Sequence, residues 1–367
     1  MTALVYAFTL LLTASNARFD SRVPATRLAH LQTGTNVCLW FRGRPRNDDG
    51  YASYVTDAEM DTMRRMGLRH VRLCIAPRTV MDPTTGVPKE KEFGFVENAI
   101  SRFLSHGLAV VVDMHNENRR DEADPAWQDR FNTFWKEAAH RLSTTDPERV
   151  FLEIVNEPVF EGHPQDWFPI QQRLAATIRE QAPKHTIVAT GPNWSNINGG
   201  LLLLTPLADR NVVYTFHCYD PHTFTHQGAM WSARAEHPLR KVPYPSTPEL
   251  IAPLLDGLPE DAKSALKSYG DDRWDRRKMV ENFQQAIDWG KRYRVPLYCG
   301  EFGVYPMYSL PEHRANWFRD FGGVLRQFHI GWSSWGWDDA FGLNRKKDGD
   351  KLTVDPIVVK SLGLKPP

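Results

Sequence analysis

Two glutamates stand where apolar runs stop. Phe151, Leu152, Glu153, Ile154 and Val155 lead into Asn156, Glu157 and Pro158, and the short run 295–299 leads through Gly300 to Glu301, Phe302 and Gly303. An apolar run that ends in this way reads as a buried strand delivering a carboxylate at its C-terminal end. In a parallel α/β barrel that end is where chemistry is done. Two carboxylates far apart in sequence, each at a strand end, can face one another across a pocket as acid and nucleophile. That is the minimum equipment for cleaving a glycosidic bond.

Other side chains fall in the same phase. Arg72 lies within a strand, His115 follows one, Asn156 precedes the first glutamate, His217 and Tyr219 follow another strand, and Trp335 ends the last. Singly, a strand arginine is usually a salt-bridge partner, a histidine a satisfied core group and a tryptophan packing. Their shared position at one end of their strands makes a common bowl the better reading. Trp40 and Trp194, near the ends of the first and fifth strands, are candidate sugar platforms at outer subsites. Asp338 and Asp339, after the eighth strand, read as a solvated loop.

The elements that must position these groups are legible from periodicity. Strands are expected at 34–40, 69–75, 108–114, from 151, at 186–190, 211–216, 295–299 and 331–335; helices at 57–66, 95–105, 125–142, 166–181, 279–293, 312–328 and 355–362. Residues 108–114 are nearly all apolar, as a strand covered on both faces should be. The alternation predicts an α/β fold, a single (β/α)8 TIM barrel. One connection is outsized, about 219–275, after the sixth strand. A structureless loop of that length on the catalytic face is expected to line the substrate cleft, with His222, His226 and Trp231 as its candidates.

Composition narrows the partners. Lys+Arg 45 against Asp+Glu 44 leaves no field to gather nucleic acid or an anionic membrane. Twelve tryptophans suit a cleft that stacks indoles on sugar rings as well as a large core. The four cysteines show no CxxC spacing and no His-x-His pair ends a strand, so no metal is expected, nor any cofactor. Buried free thiols are the expected state of the cysteines. Residues 1–17 carry an apolar run followed by small residues up to Ala17, the pattern of a secretory signal peptide without its usual basic start. It predicts a secreted or periplasmic protein whose catalytic domain is 18–367. No stretch is long enough for stable membrane insertion, and a monomer is expected.

The segments from Gly34 to about Trp337 resemble glycoside hydrolase family 5, the cellulase-type retaining β-glycosidases. The matching motifs are Asn156-Glu157-Pro158 with its apolar lead-in, His217-x-Tyr219, and Glu301-Phe302-Gly303. The resemblance implies Glu157 as acid/base and Glu301 as nucleophile, with Arg72, His115, Asn156, His217, Tyr219 and Trp335 around the sugar being cleaved. It implies a β-1,4-glucan substrate cut by double displacement. The alternatives are the same mechanism on mannan, xyloglucan, β-1,3-glucan or a bacterial exopolysaccharide, and a carbohydrate-binding barrel without catalysis.

Overall fold

The structure, a computed structural model, describes residues 21–43, 47–118, 121–344 and 353–367; the signal sequence expected over 1–17 lies outside them. Eight parallel strands close into a barrel in sequence order: β1 (Gly34–Phe41), β2 (His70–Ile75), β3 (Ala109–Met114), β4 (Val150–Glu153), β5 (Thr186–Thr190), β6 (Val212–His217), β7 (Leu297–Glu301) and β8 (Gly331–Ser334). Gly34 opposite Ser333 and Thr35 opposite Ser334 seal β1 to β8, so the sheet has no edge.

Local chemistry sets the helices. Asp57–Met66 opens with a capping box, in which the Thr56 N–H donates to Glu59 Oε2 at 2.9 Å and the Glu59 N–H to Thr56 Oγ1 at 3.3 Å. It stops at Gly67, whose φ of +98° only glycine adopts without strain. Pro125–Leu142 starts on the Asp124 cap and buries Trp127, Phe131, Phe134, Trp135, Ala138 and Leu142, a stripe at helical spacing. The expected alternation is broken once: among the described residues only the 3-10 turn Leu201–Leu203 stands between β5 and β6.

Strand alternation builds two cores. Val110 and Val112 face outward into the large cluster beneath the helices. Val111 faces inward, with Leu31, Ala109, Phe151, Val188, Val213 and Tyr298, and forms an apolar floor inside the barrel. Two residues further along β3 and β4 the inward positions are Asp113 and Glu153, both fully buried. The barrel interior therefore changes from apolar to charged on the way to the catalytic face.

Two expectations are corrected. Trp40 is no sugar platform. It is buried, stacks on Phe41 at 5.2 Å and donates from Nε1 to the Tyr51 carbonyl at 3.0 Å. The ladder of β1 against β2 shifts register between Val37 and Phe41; such an irregularity changes which side chains face inward, and Leu39 meets the cleft instead. The connection after β6 is not structureless either. It contains the helices His222–Thr225, Pro248–Ile251 and Glu260–Asp271. The last buries Ala262, Leu266 and Tyr269 at i, i+4 and i+7, a helical period in the sequence. Only its first part, up to Ala233, reaches the cleft.

Candidate active site

The site is built on Arg72, which is fully buried inside the barrel. Its Nε and Nη2 donate to the two oxygens of Glu153, each at 2.7 Å. Nη1 donates to Glu301 Oε1 at 2.7 Å and to Asn36 Oδ1 at 2.9 Å, and Nη2 to Asn156 Oδ1 at 2.7 Å. Asp113 Oδ2 lies 3.2 Å from Nη2. The guanidinium fork thus fixes the nucleophile candidate and its neighbouring amide from one rigid plane.

A second chain of bonds orients Asn156. His115 Nδ1 is 2.8 Å from Asp113 Oδ2, and its Nε2 is 3.3 Å from Asn156 Nδ2. With Asp113 ionised, the imidazole donates from Nδ1 and accepts at Nε2, so the Asn156 amide must present its oxygen to Arg72 and its NH2 towards His115 and the bowl. The Ser195 hydroxyl donates to the Asn156 carbonyl at 3.1 Å and holds the backbone there.

Glu157 and Glu301 share a histidine. His217 Nδ1 and Glu157 Oε1 share a hydrogen bond of 2.7 Å, and the same nitrogen is 3.6 Å from Glu301 Oε2. That oxygen accepts from the Tyr219 hydroxyl at 3.0 Å. One oxygen of each carboxylate and the imidazole nitrogen all lie within 4.8 Å of one another. Glu157 stands four residues past the last residue of β4, on an extension bonded to its neighbours through the Asn156 N–H and the Met114 carbonyl. Glu301 is itself the last residue of β7. The preceding Gly300 is needed: a Cβ there would come within 2.6 Å of Thr215 Oγ1 and 3.1 Å of His217 Nε2.

Electrostatics follow from burial. Burial pushes the Glu301 carboxyl up; His217 and Arg72 pull it back and Glu157 adds to the rise. Asp113 and Glu153 are also raised by burial despite Arg72. Burial lowers both His115 and His217, which favours neutral imidazoles. Asp339 is pushed up to about 7, by burial first and by Asp338 next.

The bowl is a cleft of about 1150 Å³, larger than a drug-sized ligand needs. His115, Asn156, Glu157, His217, Tyr219, Glu301 and Trp335 all line it, as expected. Trp335 lies on His115 with ring centres 5.5 Å apart, and the Arg42 guanidinium sits 5.4 Å from the indole centre. Trp194 lines the cleft and is 45% exposed; His222, His226 and Trp231 also line it. Asp338 and Asp339 line it too, and are not a solvated loop. Asp338 accepts from the Cys38 and Leu39 N–H groups at 2.7 and 3.0 Å, and Asp339 from the Phe341 N–H at 3.0 Å. Asn36, Asp113 and Glu153 were not singled out from the sequence. The available signal was an acid or amide at inward parity in an apolar strand, facing an arginine. The four cysteines are buried free thiols, as expected.

A (β/α)8 barrel that brings two glutamates from β4 and β7 to one aromatic-walled bowl, over a buried arginine, has the layout of a glycoside hydrolase. The comparisons agree. Residues 31–341 match the family model for cellulase, glycosyl hydrolase family 5, and the chain belongs to that family. It is 28% identical over 319 residues to endoglucanase C of Acetivibrio thermocellus, covering 84% of this chain and 91% of that one. It is 26% identical over 307 residues to cellodextrinase A of Ruminococcus flavefaciens, covering 81% and 82%. The crystal structure of endoglucanase Cel5A from Thermotoga maritima superposes with a TM-score of 0.74 at 24% identity, covering 92% of this chain and 98% of that one. Among the described residues no helix is long and apolar enough to cross a membrane.

Proposed function

We propose that this glycoside hydrolase cleaves β-1,4-linked glucan within the chain, by double displacement with retention of the anomeric configuration. The carrying observation is the carboxylate spacing. Oxygens of Glu157 and Glu301 lie within 4.8 Å, against roughly 5–5.5 Å between the carboxyl groups of retaining enzymes and roughly 6.5–9.5 Å in inverting ones. A water does not fit between the pair and the sugar at this separation, so Glu301 attacks the anomeric carbon itself. The bond to the leaving oxygen breaks as Glu157 gives that oxygen its proton. Water then attacks the glycosyl-enzyme, Glu157 takes the water's proton, and Glu301 leaves.

The shell suits these roles. Arg72 and the Tyr219 hydroxyl each bond one oxygen of Glu301, which favours the ionised nucleophile that burial alone would disfavour. The Glu157–His217 hydrogen bond orients the carboxyl that must give the proton. The Asn156 NH2 can bond the sugar 2-hydroxyl, a contact that strengthens as oxocarbenium character develops. Trp335 and Trp194 supply ring faces. The names of the relatives, endoglucanase and cellodextrinase, support the glucan. The same proposal makes the chain a monomer that is secreted or periplasmic, the location being supported by the apolar run and small residues of 1–17.

The test is product analysis on carboxymethyl cellulose, mixed-linkage β-glucan, glucomannan, galactomannan and laminarin, with wild type and Glu301→Ala side by side. A fast viscosity drop on the first two, absent in the variant, supports substrate and nucleophile together. Activity confined to mannan or laminarin overturns the substrate. An inverted first product, read by proton NMR, overturns the mechanism.

A further inference from the structure

The first part of the connection after β6 carries two side chains that the reaction does not use, Trp231 and His222, and both line the cleft. We infer that they form a sugar subsite of their own, the indole as platform and the imidazole as hydrogen-bonding partner, for a pyranose of the substrate chain other than the one being cleaved. The inference rests on the glycan reading above and extends it to the wall that this connection builds.

A single exposed tryptophan needs no explanation. Trp231, 57% exposed, is set apart by its support. Its ring meets Tyr305 at 4.8 Å, nearly perpendicular, and Phe341 at 6.2 Å, so two buried aromatics hold it in place. Phe341 in turn lies 6.0 Å from Tyr219, whose hydroxyl bonds Glu301. The indole is thus two ring contacts from the tyrosine that holds the nucleophile. It lies outside the hydrogen-bonded set around Glu301 and is continuous with it.

The imidazole of His222 is half exposed, yet its plane and direction are fixed. It stacks on His226 with ring centres 3.7 Å apart and 6° between the planes. Its Nδ1 shares a 2.6 Å hydrogen bond with Glu236 Oε1, and Glu236 is itself buried. Ser232, next to Trp231 in the chain, donates its hydroxyl to the other oxygen, Oε2. One buried carboxylate therefore ties the imidazole to the backbone that carries the indole. A buried carboxylate costs free energy unless it is bonded, and this one is bonded to a side chain that faces the cleft and not the core. With Nδ1 turned to Glu236, the neutral ring offers Nε2 as an acceptor. A flat apolar face beside a fixed hydroxyl acceptor matches a pyranose, which presents C–H faces and hydroxyl edges. Holding both groups in place before the sugar arrives lowers the ordering cost of binding.

The experiment is calorimetric titration of cellohexaose into the full chain carrying Glu301→Ala, so that the sugar is bound and not cut. Trp231→Ala in that background should weaken binding about three- to tenfold. His222→Phe, which keeps a ring on His226 but no nitrogen, should weaken it about two- to tenfold. Trp231→Phe should recover most of the loss. Leu250→Ala, at an exposed position of the same connection outside the cleft, should bind as the parent does. Circular dichroism establishes that each variant is folded; if His222→Phe is not, Trp231→Ala decides. Unchanged affinity in Trp231→Ala, no recovery with phenylalanine, or an equal loss in Leu250→Ala overturns the subsite. Unchanged affinity in folded His222→Phe overturns the part of the imidazole in it. A parent that ignores cellohexaose but binds mannohexaose or laminarihexaose overturns the glucan reading alone, and the variants are then compared on the sugar that binds. A parent that binds none of the three overturns both.

Discussion

Arg72→Lys is the substitution that asks most of this site. Lysine keeps the charge but offers three donors at one point, so it cannot hold both oxygens of Glu153 together with Glu301 and Asn156. At least two buried acceptors lose their donor. A hydrogen bond to a charged group contributes about 1.5–3 kcal/mol, and breaking a buried ion pair outright costs about 3–5 kcal/mol. Since the cation remains, the lower end applies, about 3 kcal/mol of stability. For a domain of this size that is roughly 4 °C in Tm.

The kinetic consequence is separate and has a sign. Glu301 loses a charge-assisted bond, worth about 10- to 150-fold in kcat. Burial already pushes its carboxyl up, and Arg72 is one of the groups opposing that rise. Lysine keeps the charge, but loss of the 2.7 Å hydrogen bond to Glu301 Oε1 lets the carboxyl rise further, less of it is ionised at a given acidic pH, and the acid limb of kcat moves to higher pH. Thermal melts and kcat against pH on an aryl β-cellobioside read both effects, and raising the pH should restore part of the lost activity. A variant with wild-type Tm and an unmoved acid limb would refute the account. A lowered Tm with an unmoved limb would reduce Arg72 to a structural support.

Four further outcomes are expected. Tyr219→Phe removes only the hydroxyl that donates to Glu301 Oε2 at 3.0 Å; kcat should fall about 10- to 150-fold with KM and Tm nearly unchanged. Trp194→Ala, at an exposed cleft position, should raise KM for long cellodextrins about three- to tenfold and change stability by less than about 0.5 kcal/mol. Trp40→Ala should do the reverse, costing about 3–5 kcal/mol with KM unmoved in the folded fraction. Asp339→Asn tests a half-buried acid. The wild-type carboxyl, pushed up to about 7, keeps in the folded state a proton that the unfolded chain gives up from about pH 4, so its contribution to stability falls as pH rises between those values. Three pKa units are about 4 kcal/mol at most, and partial exposure brings this nearer 2 kcal/mol. The asparagine variant should therefore gain Tm relative to wild type at pH 8 and not at pH 4.

What the sequence disclosed and what it hid have one physical origin. Strand parity is readable wherever the ladder is regular. The apolar runs ending at Glu157 and Glu301 placed both acids at the catalytic face, and His217, Tyr219 and Trp335 followed in the same phase. Parity fails where the ladder slips, and the irregularity between Val37 and Phe41 turned Trp40 into the helical layer. Asp113 and Glu153 were visible as acids in apolar strands, but an acid becomes meaningful only beside its partner. Arg72 meets them across β2, β3 and β4, a contact that periodicity along one strand does not contain. The long connection hid its helix for a related reason, since the stripe of Ala262, Leu266 and Tyr269 is short and set among charges. In this barrel the groups that would react are announced by where strands stop. The groups that set their charge are announced only by which strands lie side by side, so the sequence discloses the reaction sooner than the means of tuning it.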